Sequence, residues 1–155
     1  MNNKTFKSVF LIFLIILNII IFYSVLNQKE DRLKVVFLDV GQGDSIFIES
    51  PVGNQILIDG GPNKKVLDSL GKTLPFYDRS IDMIIVTHPD QDHIGGIPEI
   101  LKNYSVEYFL HTGATSSTNI FGELIKKVSQ NKIKEDIVLS GTIIDLGGGA
   151  LLKIL

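Results

Sequence analysis

Cysteine is absent from this 155-residue chain, and histidine occurs only three times. Without cysteine the chain can form no disulfide, hold no zinc ion through thiolates and use no cysteine nucleophile. Any metal ion that it binds must therefore be held by nitrogen and oxygen atoms. The histidines and the carboxylates are the side chains in which to look for such a site.

The sequence also lacks the excess of positive charge that is typical of nucleic-acid-binding surfaces. Positions 1–32 contain four basic and two acidic residues, so positions 33–155 contain the remaining 11 basic and 15 acidic residues, a net charge of −4. The nearest approach to a basic patch is the group Lys126, Lys127, Lys132 and Lys134. A solvated helix face is the simpler interpretation of these lysines.

One long apolar run stands near the N-terminus, at residues 9–26, with the sequence VFLIFLIILNIIIFYSVL. As a helix rising about 1.5 Å per residue it would extend roughly 27 Å, close to the ~30 Å hydrocarbon core of a bilayer. We therefore predict a transmembrane helix that anchors the chain in the lipid bilayer. A short tail at 1–8 would precede it, and a linker at 27–32 would follow.

A cleavable signal peptide is the alternative, because Lys4 and Lys7 supply a basic region ahead of the apolar run. The run is longer than a signal-peptide core of about 7–15 residues, and residues 24–28 contain no small-x-small cleavage motif. These features favour an uncleaved signal anchor. Basic residues flank both ends of the run, and we expect a single-pass protein with its body outside the cytoplasm.

Residues 33–155 are predicted to form one soluble α+β domain that opens with an antiparallel meander of three strands, because apolar runs alternate with turn sequences. The chain ends in the apolar run Ala150 to Leu155, which would leave an open strand edge, so we expect the domain to be incomplete. The predicted elements are strands at 33–40, 45–49 and 55–59, a helix at 64–70 that stops at Gly71, a strand at 81–86, a helix from 97 to about 104, a strand at 106–110, a helix at 121–130, and strands at 137–139 and 142–146.

Four candidate metal ligands lie within six residues, directly after the predicted strand at 81–86. They are His88, Asp90, Asp92 and His93, in the run THPDQDHIGG at 87–96. A single histidine after a strand is more often a surface residue. A loop that only connects two elements is not expected to carry two imidazoles and two carboxylates so close together. The spacing allows a turning loop to present two ligands to each of two neighbouring metal ions.

This run resembles the signature loop of the metallo-β-lactamase superfamily, whose usual pattern is His-x-His-x-Asp-His. Asp90 stands where the second histidine is usual. That departure is typical of the branch that resembles the C-terminal hydrolase domain of the competence protein ComEC/Rec2. The segments FLDVGQGDS at 37–45 and ILIDGG at 56–61 support the same branch, and the resemblance covers about residues 33–110.

The resemblance implies an αββα sandwich, of which this chain would supply the N-terminal half to two-thirds. It also implies two divalent metal ions, zinc or manganese, one held by His88 and Asp90 and the other by Asp92 and His93. Asp92 would position the attacking water. Asp59 would support the ligand loop, together with the glycine pairs Gly60, Gly61 and Gly95, Gly96.

The function implied is hydrolysis of a phosphoester or of a nucleic-acid phosphodiester by a metal-activated water. Members of the superfamily draw further ligands from the second half of their fold, and no histidine follows His111 here. The alternative is therefore a non-catalytic, membrane-tethered metal-binding fragment. A small single-span structural protein would require the ligand loop to be a coincidence.

Several other polar residues have competing interpretations. Asp59 ends an apolar strand before two glycines, where a buried carboxylate needs partners, although a helix or turn cap would also explain it. Asp39 and Asp44 flank a Gly-x-Gly loop, and we favour structural roles for both. His111 follows a strand and is either a further ligand or a solvated loop histidine. Neither Gly41-x-Gly43 nor the run at 71–73 has the remaining glycines of a nucleotide-binding loop.

Overall fold

The computed structural model describes residues 3–26 and 32–155, and these two stretches belong to two separate units. The first unit is helix α1 (Asn3–Leu26), whose segment Lys7–Ser24 is long and apolar enough to cross a membrane. A signal sequence near an N-terminus meets the same criterion. Most of the predicted linker, residues 27–31, lies outside the described residues, as do residues 1 and 2 of the predicted tail.

The second unit is built on a six-stranded sheet with the strand order β1-β2-β3-β4-β5-β6. Its first three strands are antiparallel, which confirms the predicted meander, and the next three run parallel to β3. The strands are β1 (Lys34–Phe37), β2 (Ile46–Glu49), β3 (Gln55–Ile58), β4 (Ser80–Val86), β5 (Ser105–His111) and β6 (Lys134–Ile137).

One face of this sheet is covered by helices that connect the parallel strands. Apolar residues of the helices and of the strands form a single buried cluster there, with Val66, Ile97, Ile100 and Leu124 fully buried. The helices are α2 (Lys65–Thr73), the single turn α3 (Gln91–Ile94), α4 (Ile97–Asn103) and α5 (Asn119–Gln130).

The other face is covered by an antiparallel hairpin, β7 (Ile143–Gly147) and β8 (Ala150–Lys153). A second apolar cluster lies between the hairpin and the sheet, and includes Ile56, Ile85 and Leu146. The sheet is therefore buried on both faces. This explains why β3 and β4 have continuous apolar runs instead of an alternating pattern.

Some predicted boundaries are wrong. Helix α2 continues past Gly71 to Thr73 and ends before Pro75, because a residue that precedes proline is kept out of the helical conformation. Strand β6 lies at 134–137, whereas the prediction placed it at 137–139. Its residues are all exposed, and the sequence Lys-Glu-Asp-Ile carries no buried-strand signal. Helix α5 begins at Asn119, two residues before the predicted start.

The parallel strands give the sheet two distinct edges. Ile58 pairs with Ile85, and Val86 pairs with His111, so β3, β4 and β5 end side by side. We call this the carboxyl edge and the opposite one, where these three strands begin, the amino edge. The loop with the four candidate ligands follows β4 directly and lies at the carboxyl edge, as predicted.

Candidate metal centre

Asp59 is the first residue after β3, and its side chain is enclosed at the carboxyl edge. The residue is 2% exposed and has a φ of 57°, an uncommon conformation for a residue other than glycine. Its backbone is held at both ends, because its amide donates to the carbonyl of Ile85 at 2.9 Å and its carbonyl accepts from the Ser45 hydroxyl at 2.9 Å. The carboxylate is thereby aimed at the ligand loop.

Three hydrogen bonds satisfy the Asp59 carboxylate. The Thr87 amide donates to Oδ1 at 2.9 Å, and the Thr87 hydroxyl donates to Oδ2 at 2.6 Å. Nδ1 of His93 lies 2.8 Å from the same Oδ2. Because a carboxylate only accepts hydrogen bonds, Nδ1 of His93 must carry the proton. The alternative role as a turn cap does not describe these contacts.

His88 is connected to Asp59 through Thr87. Nδ1 of His88 lies 2.9 Å from the Thr87 hydroxyl oxygen. The hydroxyl has one hydrogen, which is already donated to Asp59, so it must accept from Nδ1–H of His88. Both imidazoles therefore carry the proton on Nδ1, and both leave the Nε2 lone pair free. Metal-binding histidines typically have this carboxylate-supported arrangement.

The free Nε2 atoms lie near the two other carboxylates of the loop. Nε2 of His88 is 3.6 Å from Oδ2 of Asp90, and Nε2 of His93 is 3.8 Å from Oδ2 of Asp92. Two atoms that bind one zinc ion at 2.0–2.2 Å with tetrahedral geometry lie about 3.4 Å apart. Each pair of donors therefore has nearly the separation that a shared ion requires.

The two imidazole rings also lie close together, with their centroids 3.8 Å apart and their planes inclined at 47°. The structure brings the four candidate ligands together as two pairs, His88 with Asp90 and His93 with Asp92. Within residues 3–26 and 32–155, no group of three or more such side chains is close enough to hold one ion. The pairs fit a divalent metal ion in donor type and spacing, and each leaves positions for further ligands.

The two glycine pairs allow the backbone of the ligand loop to touch the loop after β3. The Gly60 amide donates to the His93 carbonyl at 2.6 Å, and the Gly96 amide donates to the Gly61 carbonyl at 3.0 Å. A Cβ on Gly96 would lie 2.2 Å from the Gly60 carbonyl oxygen. At Gly95 a Cβ would lie 2.1 Å from the carbonyl oxygen of Pro62. Any side chain here would separate Asp59 from the histidines.

Sequence reasoning missed two residues that position the centre. Gly43 has a φ of 69°, and a Cβ there would lie 1.9 Å from the carbonyl oxygen of Asp92. The segment 37–45 supports the family resemblance, but nothing in the local sequence assigns Gly43 itself a role. Thr87 belonged to the recognised run but had no assigned role. The sequence did offer one indication of this role, because Thr87 places a hydroxyl group between the end of a buried strand and His88.

Asp39, beside the same loop, has contacts that agree with a structural role. Its carboxylate accepts from Lys65 Nζ at 2.7 Å, and its carbonyl accepts from the Ser69 hydroxyl at 2.7 Å. The Lys65 ammonium group, by hydrogen bonding and charge, holds the pKa of Asp39 below its ordinary value. Both contacts fix the position of α2 and do not involve the candidate ligands.

His111 ends β5 at the same edge but has other partners. Its Nε2 lies 3.1 Å from a carboxylate oxygen of Glu135, and its Nδ1 accepts from the Gly113 amide at 3.1 Å. Both ring nitrogens are therefore occupied by protein groups. Among the described residues, the hydrogen-bond and ion-pair partners of His111 do not include His88, Asp90, Asp92 or His93.

Known proteins share both sequence and fold with this chain. ComE operon protein 3 of Bacillus subtilis (strain 168) is 35% identical over 91 residues, which cover 48% of this chain and 12% of that protein. The solved structure of the Rm3 metallo-β-lactamase matches 80% of this chain with a TM-score of 0.53 and 14% identity. The peroxy diiron species of the chemotaxis sensor ODP covers 81%, with a TM-score of 0.53 and 19% identity.

These likenesses cover only part of each relative. The chain spans 49% of each of the two structures, and their low identity establishes the fold alone. The sequence also matches the family model of the metallo-β-lactamase superfamily over residues 38–150. That match contains the Asp59 strand end, the ligand loop and β7, the first strand of the hairpin on the second face of the sheet. The chain belongs to the metallo-β-lactamase superfamily.

Proposed function

We propose that this chain is part of a membrane-anchored, metal-dependent hydrolase that cleaves phosphoesters, with nucleic-acid phosphodiesters as the preferred class. The observation that carries the proposal is the arrangement around Asp59. The buried Asp59 carboxylate fixes His93 directly and His88 through the Thr87 hydroxyl, in each case by Nδ1, so that both Nε2 lone pairs are available beside carboxylates. A purely structural loop gains nothing from holding two imidazoles in this way.

The proposed metal ligands are His88 and Asp90 for one divalent ion, and Asp92 and His93 for a second. Zinc and manganese both suit imidazole and carboxylate ligands, and we expect one of them. When bound, such a pair supplies a water of lowered pKa and stabilises the negative charge that develops on phosphoryl oxygens.

The chain's own residues would divide the remaining work. Asp92 is the proposed catalytic residue, and its carboxylate would accept a hydrogen bond from the attacking water and orient it. The side chains of His88, Asp90 and Asp92 are 44%, 72% and 52% exposed, so substrate can reach them. His93 is only 11% exposed and is fixed by Asp59. A large substrate can reach a site only from solvent, and the exposed carboxylates and His88 provide that access. His93 and Asp59 support the site from the buried side.

The preference for a phosphodiester rests on the likeness to ComE operon protein 3, of which this chain covers only a small part. The anchoring rests on the apolar segment of α1, and we propose that the body lies outside the cytoplasm. The lysines of α5 and β6 add little support for a nucleic acid. Lys134 pairs with Glu107 at 2.8 Å, and Lys127 lies 3.9 Å from Glu123.

A second candidate function is a non-catalytic, membrane-tethered metal-binding fragment. The observation that favours it is the grouping of the ligands in twos, with no group of three among the described residues. Two donors bind a divalent ion weakly, because structural and catalytic zinc sites use three or four protein ligands. The two candidates differ in metal stoichiometry and in turnover.

The test measures both quantities on the full chain in lipid nanodiscs. After equilibration with zinc or manganese and removal of the excess, bound metal is counted and hydrolysis of bis(p-nitrophenyl) phosphate is followed. The hydrolase proposal expects close to two equivalents of metal and turnover that is lost in His88→Gln and Asp92→Asn. His111→Gln is the matched control and should retain both. Weak substoichiometric metal binding without turnover would favour the fragment.

A further inference from the structure

Phe76 and Tyr77 occupy the tip of the turn between α2 and β4. The Asp78 amide donates to the Pro75 carbonyl at 2.9 Å, which closes a four-residue turn with the two aromatic residues at its central positions. Phe76 is 86% exposed and Tyr77 is 55% exposed. Their rings contact each other edge to face, with centroids 5.4 Å apart. Central turn positions usually carry small or polar residues, so an exposed aromatic pair here needs an explanation.

The turn is held rigidly at the amino edge of the sheet. Asp78 accepts from the Gln55 side chain at 2.6 Å, and Gln55 is the first residue of β3. The Arg79 carbonyl accepts from the amide of Ser105, the first residue of β5, at 2.8 Å. These bonds tie the turn to the beginnings of neighbouring strands. The aromatic pair therefore projects from the edge opposite to the candidate metal centre.

The chain enters the domain at this same edge. Lys34, the first residue of β1, donates to the carbonyl of Thr73 at the end of α2 with a distance of 3.4 Å. Leu33, directly before it, is 49% exposed. In the sequence, six residues, 27–32, lie between Leu26, the last residue of α1, and Leu33. If α1 spans a bilayer, a linker of this length tethers the start of β1 to the membrane.

We propose that the turn at Phe76 and Tyr77 inserts into the headgroup region of the bilayer, so that the domain rests on the membrane by its amino edge. Tyrosine is enriched at the membrane–water interface because its ring is apolar and its hydroxyl group is polar. The apolar ring of Phe76 would be buried beside it. Arg79 is exposed beside the pair, and its guanidinium group is held against Tyr104, 3.2 Å from the hydroxyl. There it can contact lipid phosphates. This inference rests on the membrane anchoring in the proposed function.

The docked orientation directs the metal centre away from the lipid. Strand β4 runs from the turn to the ligand loop over seven residues, a length of roughly 20 Å at about 3.3 Å per residue. The centre would therefore face the aqueous phase at a fixed height above the membrane. This position suits a soluble polymeric substrate better than a lipid headgroup.

The test uses the absence of tryptophan from the chain. Phe76→Trp places a single fluorescent reporter at the turn of the full protein, reconstituted in phosphatidylcholine vesicles. Leu139→Trp is the matched control, because Leu139 is an apolar residue, 66% exposed, that follows β6 at the carboxyl edge. Emission is compared between ordinary vesicles and vesicles whose lipid is brominated near the headgroup.

We expect Trp emission of the Phe76→Trp protein to be blue-shifted and mostly lost in brominated vesicles, while that of the Leu139→Trp protein is unchanged. If the chain floats with the vesicles but the reporter at position 76 emits as in water, docking is wrong and anchoring stands. If the chain fails to float with vesicles, both the docking of the turn and the membrane anchoring are wrong. Equal quenching at both positions would also contradict the docked orientation.

Discussion

Thr87 binds the carboxylate of Asp59 twice, once through its backbone amide at 2.9 Å and once through its hydroxyl at 2.6 Å. The two bonds join the end of β3 to the end of β4 at the carboxyl edge. Because the second bond uses the only hydrogen of the hydroxyl, it also decides which nitrogen of His88 is protonated. A contact that stabilises the fold thus also sets the tautomer of a candidate ligand.

Replacing Thr87 with valine should weaken both the fold and the metal site. The valine keeps the shape and the backbone bond but removes the hydroxyl, which leaves Nδ1 of His88 without its partner. We expect a loss of about 1–3 kcal/mol in the free energy of unfolding, measured by chemical denaturation without metal. Metal affinity, measured by competition with a chelating dye, should fall roughly 10- to 100-fold. Thr87→Ser should restore most of both.

Asp59→Asn should be more damaging than its small change in shape implies. The asparagine amide has one acceptor oxygen where the carboxylate has two, so its NH₂ group either faces a donor from Thr87 or His93 or forces the imidazoles to carry their proton on Nε2. We expect destabilisation on the order of 3 kcal/mol, seen as a lower denaturation midpoint. Asp145→Asn is the control, because that carboxylate is exposed on β7 and accepts from the Gly147 amide at 2.8 Å. Equal stability of the two variants would contradict the account.

Alanine at Gly95 and at Gly71 should have opposite effects on stability. At Gly95 the new methyl group would meet the backbone of Pro62, and we expect a loss of at least about 1–3 kcal/mol. At Gly71, inside α2, no heavy atom lies within 4 Å of the added carbon. That substitution should stabilise the domain by about 0.5–1 kcal/mol. Thermal denaturation of both variants beside the unaltered chain provides the comparison.

The contact between Lys65 and Asp39 predicts that the stability of the domain depends slightly on pH. The Lys65 ammonium group lowers the pKa of Asp39 below its ordinary value of 3.8. A carboxyl whose folded pKa is depressed contributes stability above its unfolded pKa and loses it as the pH falls through the folded value. In Lys65→Met, the pKa of Asp39, followed by NMR titration, should rise toward the ordinary value. An unchanged pKa would mean that other groups cause the depression.

Much of the supporting structure could be predicted from local sequence. The meander follows from apolar runs separated by turn residues, and the ligand loop follows β4 because a short apolar run ends at Val86. The ligand pairing expected for His88 and His93 stays a prediction, although the structure places those pairs at suitable distances. The family assignment was confirmed by the comparisons.

The parts that sequence reasoning missed depend on contacts between distant segments. Gly43 lies against the backbone of Asp92, 49 positions later, and no local pattern reports such an approach. Strand β6 is polar because it lies exposed at the edge of the sheet, so its pairing with β5 is the main evidence of a strand. The role of Thr87 required knowing that β3 and β4 are neighbours.

The most direct test of the account is long-range ¹H–¹⁵N NMR of the imidazole rings, which are only three in this chain. In the metal-free protein, His88 and His93 should both carry the proton on Nδ1, and His111 should carry it on Nε2. Addition of zinc should shift the Nε2 signals of His88 and His93 and leave those of His111 unchanged. Protonation of His88 or His93 on Nε2, or zinc-dependent shifts at His111 alone, would contradict the account.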